Sequence, residues 1–470
     1  MSNFGKFILA GLAFLLITGC NGNPDDLPGL LYIRVTHASP DTPVVSVEIT
    51  GFISTMDSSL LGPLGTLTLP AVDYKQSSGL RPVRVGNTTV KIEAIIPDGN
   101  VVVADLSFAE TEDVNYEIML VGKWGDPDFE ALQFDNPRTD VGAGNFRVQV
   151  VHAAPDVGED IIVYITTPGA ALDSGQQIAF AGNTGQIEFP AGEYQIRIAL
   201  ASDAMTPVFD TNLGTPPEGV DLLIAAVTNT GAGSAPISVI LLDGTGTPNE
   251  RLDDGTPADV RFVHTLPDDP DTLDIIIEND DPPGTEIVSG LAFAAFTDYL
   301  NPALEPETYN FKFVDSATGT MEVINRDVTI EAGVAYTMIA AGLFANAPGG
   351  AVVDAVVDDN RRVATEAKFR LLHSSNAADA VDVYLAAQGD PIGEDNRVLS
   401  GFTIQGNSGY GSIAAGPYEL TVTQAGDTAD VLIDAQPITL ADGGIYTTIL
   451  IDSAPGVLPL QLILMDDFAP

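Results

Sequence analysis

The sequence has very few of the residues that most often carry redox, metal or nucleic-acid chemistry. Cys20 is the only cysteine among 470 residues, which excludes an internal disulfide and a cluster of thiolate metal ligands. Lysine and arginine number 19 against 65 aspartates and glutamates, giving a formal net charge of −46. Because a field of this sign repels nucleic-acid phosphates and anionic lipid headgroups, we expect no nucleic-acid partner.

The sequence also lacks an apolar run long enough to span a bilayer, and its most prominent apolar run lies at the N-terminus. Residues 7–17 form an apolar run that follows Lys6. A run of this length is typical of an export signal and is shorter than the ~20 residues that span a bilayer. The run leads into a motif that resembles the lipobox of bacterial lipoproteins, Ile17-Thr18-Gly19-Cys20.

In lipobox proteins the cysteine is acylated and the leader is cleaved before it. The resemblance implies a signal peptide over residues 1–19, lipidation at Cys20 and a lipidated tether over residues 20–29. Several acyl chains on one residue give a stable membrane anchor. Asn21 resembles the sorting pattern for the outer membrane, so we expect a lipid-anchored outer-membrane protein that faces the periplasm or the exterior. The alternative is an ordinary signal peptide with an unrelated cysteine.

The four histidines occupy one position of an internal repeat, at spacings of 115, 112 and 109 residues. Their surroundings are alike: Ile33-Arg34-Val35-Thr36-His37-Ala38-Ser39-Pro40-Asp41, Val148-Gln149-Val150-Val151-His152-Ala153-Ala154-Pro155-Asp156, Val260-Arg261-Phe262-Val263-His264-Thr265-Leu266-Pro267-Asp268 and Phe369-Arg370-Leu371-Leu372-His373-Ser374-Ser375-Asn376. The repeat predicts four tandem domains, over residues 30–142, 143–256, 257–365 and 366–470.

Each copy alternates apolar and polar residues in short runs separated by turn residues, which is the pattern of β-strands. An apolar strand is predicted after each motif, at residues 44–49, 161–165, 273–277 and 381–385. A mid-repeat strand is predicted at residues 191–198, 306–313 and 415–422 and, in a looser form, at residues 81–85. A later strand opens with a tyrosine in three copies, Tyr116, Tyr336 and Tyr446. These resemble a tyrosine corner; the alternative is an ordinary half-buried strand residue.

About seven strands in roughly 110 residues favour an all-β fold of four tandem immunoglobulin-like, Greek-key β-sandwich domains. A transthyretin-like sandwich is the competing arrangement. A unit of this size is about 35 Å across, so four units in line are expected to reach roughly 140 Å.

The first motif, with the Thr42-Pro43 and Val45-Ser46-Val47 that follow it, resembles the signature of the bacterial domain of unknown function family 4397. Members occur in tandem in secreted and lipid-anchored surface proteins, so the resemblance implies a β-sandwich at the cell surface and no established chemistry. The fourth copy departs from the signature with Asn376 and Ala377 in place of proline and aspartate, and the second has Gln149 in place of arginine.

The repeated motif residues are predicted to be structural. We expect the histidines to bond loop backbone groups that would otherwise be buried unpaired; the alternative is a metal ligand or a general base. A metal is not expected, because each copy has one histidine and separate units would hold the four rings apart. The arginines lie on the strand face opposite the histidines, pointing outward or pairing with a carboxylate. The structural set is His37, His152, His264, His373, Arg34, Arg261, Arg370, Asp41, Asp156 and Asp268.

The sequence contains no nucleophile elbow followed by a helix, zinc-binding H-E-x-x-H motif, P-loop or dinucleotide fingerprint. The stretch Gly406-Asn407-Ser408-Gly409-Tyr410 is interpreted as a turn. We therefore expect no catalytic residue, metal or cofactor. The predicted function is a non-enzymatic, lipid-anchored spacer, adhesion or partner-binding array of the cell envelope, whose partner is an envelope protein or a glycan. Two alternatives are a lipoprotein that captures carbohydrate or calcium at its loops or aspartate-rich joins, and a hydrolase.

Overall fold

The computed structural model describes residues 29–52, 65–86, 88–108, 111–268, 271–279, 283–344 and 350–466. The predicted signal peptide and Cys20 lie outside the described residues. Within these ranges the chain consists of β-strands and loops with two one-turn 3-10 helices, Pro155–Val157 and Glu394–Asn396. A search of this part of the chain finds no helix with the length and apolar character needed to cross a membrane.

The first two copies contain strands β1 to β17. Copy one has β1 Leu30–His37, β2 Val45–Phe52, β3 Gly65–Val72, β4 Arg81–Arg84, β5 Thr89–Ala94, β6 Val101–Ser107, β7 Val114–Val121 and β8 Glu130–Pro137. Copy two has β9 Asn145–Ala153, β10 Ile161–Thr166, β11 Gln176–Ile178, β12 Ile187–Pro190, β13 Tyr194–Leu200, β14 Asp203–Gly214, β15 Asp221–Thr228, β16 Ile237–Leu242 and β17 Asn249–Arg251.

The last two copies contain strands β18 to β32. Copy three has β18 Asp259–His264, β19 Thr272–Ile277, β20 Thr285–Ala292, β21 Thr308–Asp315, β22 Glu322–Thr329, β23 Ala335–Gly342 and β24 Ala351–Asp358. Copy four has β25 Ala367–His373, β26 Ala380–Ala387, β27 Arg397–Thr403, β28 Gly411–Ile413, β29 Gly416–Gln424, β30 Asp427–Leu440, β31 Ile445–Ala454 and β32 Val457–Asp466.

Each copy is a two-layer sandwich. In copy four, one sheet has the order β28-β25-β31-β32 and the other β27-β26-β29-β30, and copies two and three follow the same plan. In copy one a single backbone pair between Phe52 and Val83 links the two layers into one continuous sheet. The strand that ends in the motif histidine (the histidine strand: β1, β9, β18, β25) runs parallel to the late strand (β7, β15, β23, β31). The predicted all-β fold of tandem sandwiches is confirmed.

Every copy has its own apolar core between its two layers, because alternate strand residues point inward. In β5, Val90, Ile92 and Ala94 are buried between the half-buried Thr89, Lys91 and Glu93. The four cores lie within residues 31–131, 146–241, 258–353 and 367–462.

The histidine and late strands are buried on both faces, which a single sandwich does not provide. Their second faces pack against the neighbouring copy. Met119 and Val121 of copy one share an apolar cluster with Val151 and Leu223 of copy two. An equivalent cluster joins copies three and four, with Val263, Ile339, Leu372, Ile449 and Ile451 among its members. We call copies one and two the first pair, and copies three and four the second pair.

The two pairs also contact each other. Arg361, in the join between copies three and four, donates from Nε to the carbonyl of Pro40 at 2.8 Å and forms an ion pair with Asp73 of copy one. The backbone N–H of Ala232 in copy two donates to the carbonyl of Gly333 in copy three at 3.0 Å. The expectation of four units in line is therefore wrong. The histidine strands carry apolar residues on both of their faces, and each face needs another layer of protein packed against it to shield it from water.

The strand predicted at residues 81–85 of copy one was assigned to the wrong layer. β4 pairs with the histidine strand β1, as β12 pairs with β9 and β28 pairs with β25. The counterpart of the tyrosine-bearing strands β13, β21 and β29 is β5, which pairs with β2. Alternation of apolar residues indicates a strand but does not indicate its sheet, which explains the error.

The late-strand tyrosines form corner hydrogen bonds. The phenol oxygens of Tyr116, Tyr336 and Tyr446 accept the backbone N–H of the residue five positions earlier, at 3.1, 3.3 and 3.1 Å. The tyrosine-corner interpretation therefore holds in three copies, and copy two has the buried Leu222 at this position.

Because the copies pack against one another, we expect a compact particle in solution and not an extended one. We expect small-angle X-ray scattering of residues 21–470 to give a radius of gyration of roughly 22–25 Å, as for a compact chain of this length. Four units in line would give about 40 Å instead. A value near 40 Å would contradict the contacts between copies.

Candidate functional site

The motif histidines lie at the end of the histidine strands and are almost fully buried, with at most 2% of their surface exposed. Nε2 lies 3.0 Å from the carbonyl of Pro43 in His37 and 3.1 Å from that of Glu159 in His152, so this nitrogen donates. Nδ1 of His264 accepts the N–H of Leu266 at 3.3 Å, and the same bond to the residue two positions later recurs in copies two and four. Each ring thus closes the loop that follows its own strand.

A tight turn with a left-handed residue faces each histidine. The left-handed residues are Lys75, Ala181, Ala294 and Gln405, with φ of +65°, +58°, +62° and +60°. Their N–H groups donate to the histidine carbonyls, and the histidine N–H donates to the next carbonyl of the turn. Aromatic rings contact the imidazoles with centroid distances of 5.6–6.2 Å, and they belong to Tyr74, Phe180, Phe293 and Phe402.

A hydroxyl residue that the sequence analysis missed follows each of these turns. The side-chain oxygens of Ser78, Thr184, Thr297 and Ser408 accept the N–H of the residue two positions before the histidine, at 2.9–3.0 Å. Ser408 also donates to the carbonyl of Gly409, so its hydroxyl is engaged with the backbone. The weak signal in the sequence was the recurrence of serine or threonine 32–41 residues after each histidine.

The motif loops of paired copies meet each other at equivalent positions. The hydroxyls of Thr265 and Ser374, each the residue after its histidine, lie 2.6 Å apart across the second pair. The same positions in the first pair, Ala38 and Ala153, share one apolar cluster. Contact between equivalent residues is the property of a two-fold interface. The expectation that separate units hold the motifs far apart is therefore wrong within each pair.

Proximity of the loops does not create a metal centre in the part of the chain that the structure describes. Each imidazole bonds its own loop, and no group of three or more histidine, cysteine, aspartate or glutamate side chains is placed to hold an ion there.

The motif arginines lie in the interface between copies and not on the solvent-facing surface. Arg34, Arg261 and Arg370 expose 4%, 4% and 1% of their surface. Arg34 donates from Nε and Nη2 to the carboxylate of Glu117 at 2.7 and 2.8 Å, and from Nη1 to the carbonyl of Leu242 in copy two at 3.0 Å. The outward-facing alternative is wrong, and each arginine is paired with a carboxylate.

Asp358 is shared by two of these arginines. Its carboxylate lies 2.5 Å from Arg370 Nη2 and 3.2 Å from Arg261 Nη2, and it accepts the hydroxyls of Thr337 and Tyr299 at 2.6 and 2.7 Å. Because the side chain of Asp358 is 1% exposed, it joins copies three and four in a buried ion cluster.

The source of the carboxylate differs between the two pairs. In copy one it is Glu117, directly opposite Arg34 on the late strand. In copy three Thr337 lies opposite Arg261, and the carboxylate comes from the final strand at Asp358. The residue of copy one that corresponds to Asp358 is Asn136, which donates to Gln149 of copy two at 2.5 Å. Gln149, the departure from the motif, is therefore the amide partner of Asn136.

The motif aspartates fasten the loop after the histidine to the late strand of the same copy, to the residues that follow that strand, or to the neighbouring copy. Asp41 accepts the N–H of Trp124, and Asp268 accepts that of Phe344, both at 2.9 Å. Asp156 accepts the hydroxyl of Thr228 at 2.9 Å and forms an ion pair with Lys123 of copy one. Burial raises the pKa of the Asp41 carboxyl.

Copy four replaces the missing motif aspartate with a carboxylate from the opposite strand. Asp452 accepts the N–H of Ala377 at 3.0 Å and the hydroxyl of Ser375. The loop is thus held by the same kind of bond with its acceptor on the late strand.

Comparison with known protein families agrees with the presence of repeated copies. The sequence matches the family described as "Domain of unknown function (DUF4397)" over residues 31–162 and 258–384, and the chain belongs to this family, in tandem copies. The Bacillus anthracis TIE protein is similar at 12% identity and a TM-score of 0.16, covering 90% of this chain and 74% of that chain. The major pilin subunit of Bacillus cereus is similar at 10% identity and a TM-score of 0.13, covering 63% and 96%. No curated protein sequence matches.

Loss of the shared carboxylate is expected to separate the second pair. Asp358→Asn leaves Arg261 and Arg370 buried with one charge removed, and we expect the free energy of unfolding to fall by about 3–5 kcal/mol. Asp359→Asn is the matched control, because Asp359 is 45% exposed in its ion pair with Lys368 and its loss costs about 0–1 kcal/mol. Denaturant unfolding of both variants compares the two; equal stability would contradict the role of Asp358.

Acid is expected to weaken the His37 loop. Burial and the nearby Arg361 guanidinium lower the pKa of His37 to about 4. Below pH 6.5 the unfolded chain protonates this ring while the native chain does not, so stability falls by ~1.4 kcal/mol per pH unit down to about pH 4. His37→Gln removes this contribution, so the stability difference between wild type and variant should narrow from pH 7 to pH 5. A difference that stays constant would contradict the pKa shift.

Proposed function

We propose that this chain is a non-enzymatic, lipid-anchored protein of the outer membrane, in which four sandwiches form one block that presents its loops to an envelope protein or glycan. The observation that carries the proposal is the burial of the repeated motif. Its histidines and arginines bond their own loops or the adjoining copy, so they assemble the block and are not presented to a substrate.

Packing in pairs favours partner binding over spacing. A spacer gains length from each added domain, whereas here copies two and four cover the faces of copies one and three. The block therefore presents a broad surface on which the loops of several copies have fixed positions. These properties suit a surface that docks one partner over several copies.

The charge and the short tether support anchoring through acyl chains. A net charge of −46 disfavours contact with anionic headgroups, so a basic patch does not serve as the anchor. β1 begins at Leu30, so about ten residues separate Cys20 from the first sandwich and hold it within ~35 Å of the bilayer.

The calcium alternative receives less support from the joins. Asp358 is neutralised by two arginines, Asp359 by Lys368, and Asp253 accepts the N–H of Asp210 at 2.6 Å. Carboxylates that already bond protein groups must lose those bonds before they bind a cation.

Anchoring is tested by replacing the cysteine. We expect Cys20→Ser to move the protein from the membrane fraction to the soluble fraction, because no acyl chain is then attached. Asn21→Asp is the matched control, which should keep the lipid but shift the protein from the outer to the inner membrane. Retention of Cys20→Ser in the outer membrane at the wild-type level would rule out the lipid anchor.

A further inference from the structure

The interface of the first pair contains a half-open polar cavity of about 400 Å³. Copy one contributes Arg34, Asn115 and Glu117 to its lining, and copy two contributes Arg147 and Asp221. The volume lies within the range of small-molecule sites in proteins. None of the motif bonds described above requires a cavity at this place.

The second pair shows how the same place is filled. Tyr299 and Tyr410 stand at equivalent positions of copies three and four, two residues after the hydroxyl residues Thr297 and Ser408. Their rings stack on the motif arginines, with 4.8 Å between Arg261 and the Tyr299 centroid and 4.4 Å between Arg370 and the Tyr410 centroid.

The first pair carries smaller or more flexible residues at these positions. Counted in the same way from Ser78 and Thr184, they are Leu80 and Gln186. Leu80 lines the cavity, and Gln186 donates to Asp221 at 3.3 Å. The first pair thus lacks both stacking rings at the positions where the second pair has them.

Two buried polar atoms around this cavity are left without partners. Asn115 and Arg147 are 9% and 5% exposed, and neither Asn115 Oδ1 nor Arg147 Nε has a hydrogen-bond partner among the described residues. The other Arg147 nitrogens are used, with 2.8 Å to Thr139 and 2.6 Å to Asp221. An unpaired buried acceptor and an unpaired buried donor each cost roughly 1–3 kcal/mol, which a ligand that both donates and accepts would recover.

The charges of the lining indicate the class of ligand. The lining includes the guanidinium groups of three arginines, and Glu117 and Asp221 neutralise Arg34 and Arg147. With the third cation, Arg138, and two further carboxylates, Asp140 and Asp243, the lining has four carboxylates against three guanidinium groups. With no excess of positive charge, the cavity does not favour an anion. Hydroxyl groups both donate and accept, so a polyhydroxylated molecule matches alternating guanidinium, carboxylate and amide groups.

We propose that the cavity between copies one and two binds a small neutral polyhydroxylated molecule of mono- or disaccharide size. Asn115 Oδ1 accepts from one ligand hydroxyl and Arg147 Nε donates to another. The second pair, with its tyrosines, is the closed counterpart of this site. The proposal does not depend on lipid anchoring or on a protein partner.

The test measures sugar binding by the protein of residues 21–470 and by variants at the positions where the second pair has tyrosines. Calorimetric titration with glucose, galactose, N-acetylglucosamine and cellobiose is compared between wild type and Leu80→Tyr/Gln186→Tyr, which places the stacking rings in the first pair. We expect wild type to bind at least one of these sugars and the double variant to bind it at least tenfold more weakly. The control Tyr410→Phe, which keeps the stacking ring of the second pair, should leave that binding unchanged.

A second variant keeps the test decisive if the double variant does not fold. Asn115→Ala removes the unpaired acceptor. We expect it to lower the affinity for the same sugar about tenfold while the melting temperature stays near that of wild type. Binding of none of the four sugars by wild type overturns the proposal, as does equal binding by Asn115→Ala. Binding of inorganic phosphate in place of the sugars would identify an anion site and overturn it as well.

Discussion

Burial of both faces of the histidine strands is the constraint on which the rest of this structure depends. One face of each strand belongs to the core of its own sandwich, and the other requires an apolar neighbour. The strand from the adjoining copy meets that need, which places the motif loops against each other. Once the loops are in contact, the arginines lie in the interface, and each then needs a carboxylate within reach.

The two pairs solve this charge problem differently. Glu117 neutralises Arg34 within copy one, so the neighbouring copy needs only Gln149 at the matching position. In the second pair one carboxylate, Asp358, serves an arginine from each copy. The first arrangement keeps the ion pair within one copy. The second makes the stability of each copy depend on the presence of the other.

Much of each sandwich could be predicted from the sequence, because short alternating runs and the recurring histidines report local structure. The packing between copies could not, although Val151 and Leu372 beside their histidines were a signal that the outer strand face is apolar. The left-handed turns were missed because none of their four central residues, Lys75, Ala181, Ala294 and Gln405, is glycine, asparagine or aspartate, the types that favour this conformation. The cavity is present because Leu80 and Gln186 lack the aromatic rings of Tyr299 and Tyr410. Recognising that these positions are equivalent requires the register of the strands.

The two-fold contact between Thr265 and Ser374 has a consequence for how such chains are assembled from domains. An interface built from the same residues on both sides can form equally between two separate molecules, so a covalent pair of copies corresponds to a dimer of single domains made into one chain. A chain with an odd number of copies leaves one apolar strand face without its counterpart. Such a chain would associate with a second one through that face, whereas an even number closes every interface within the molecule.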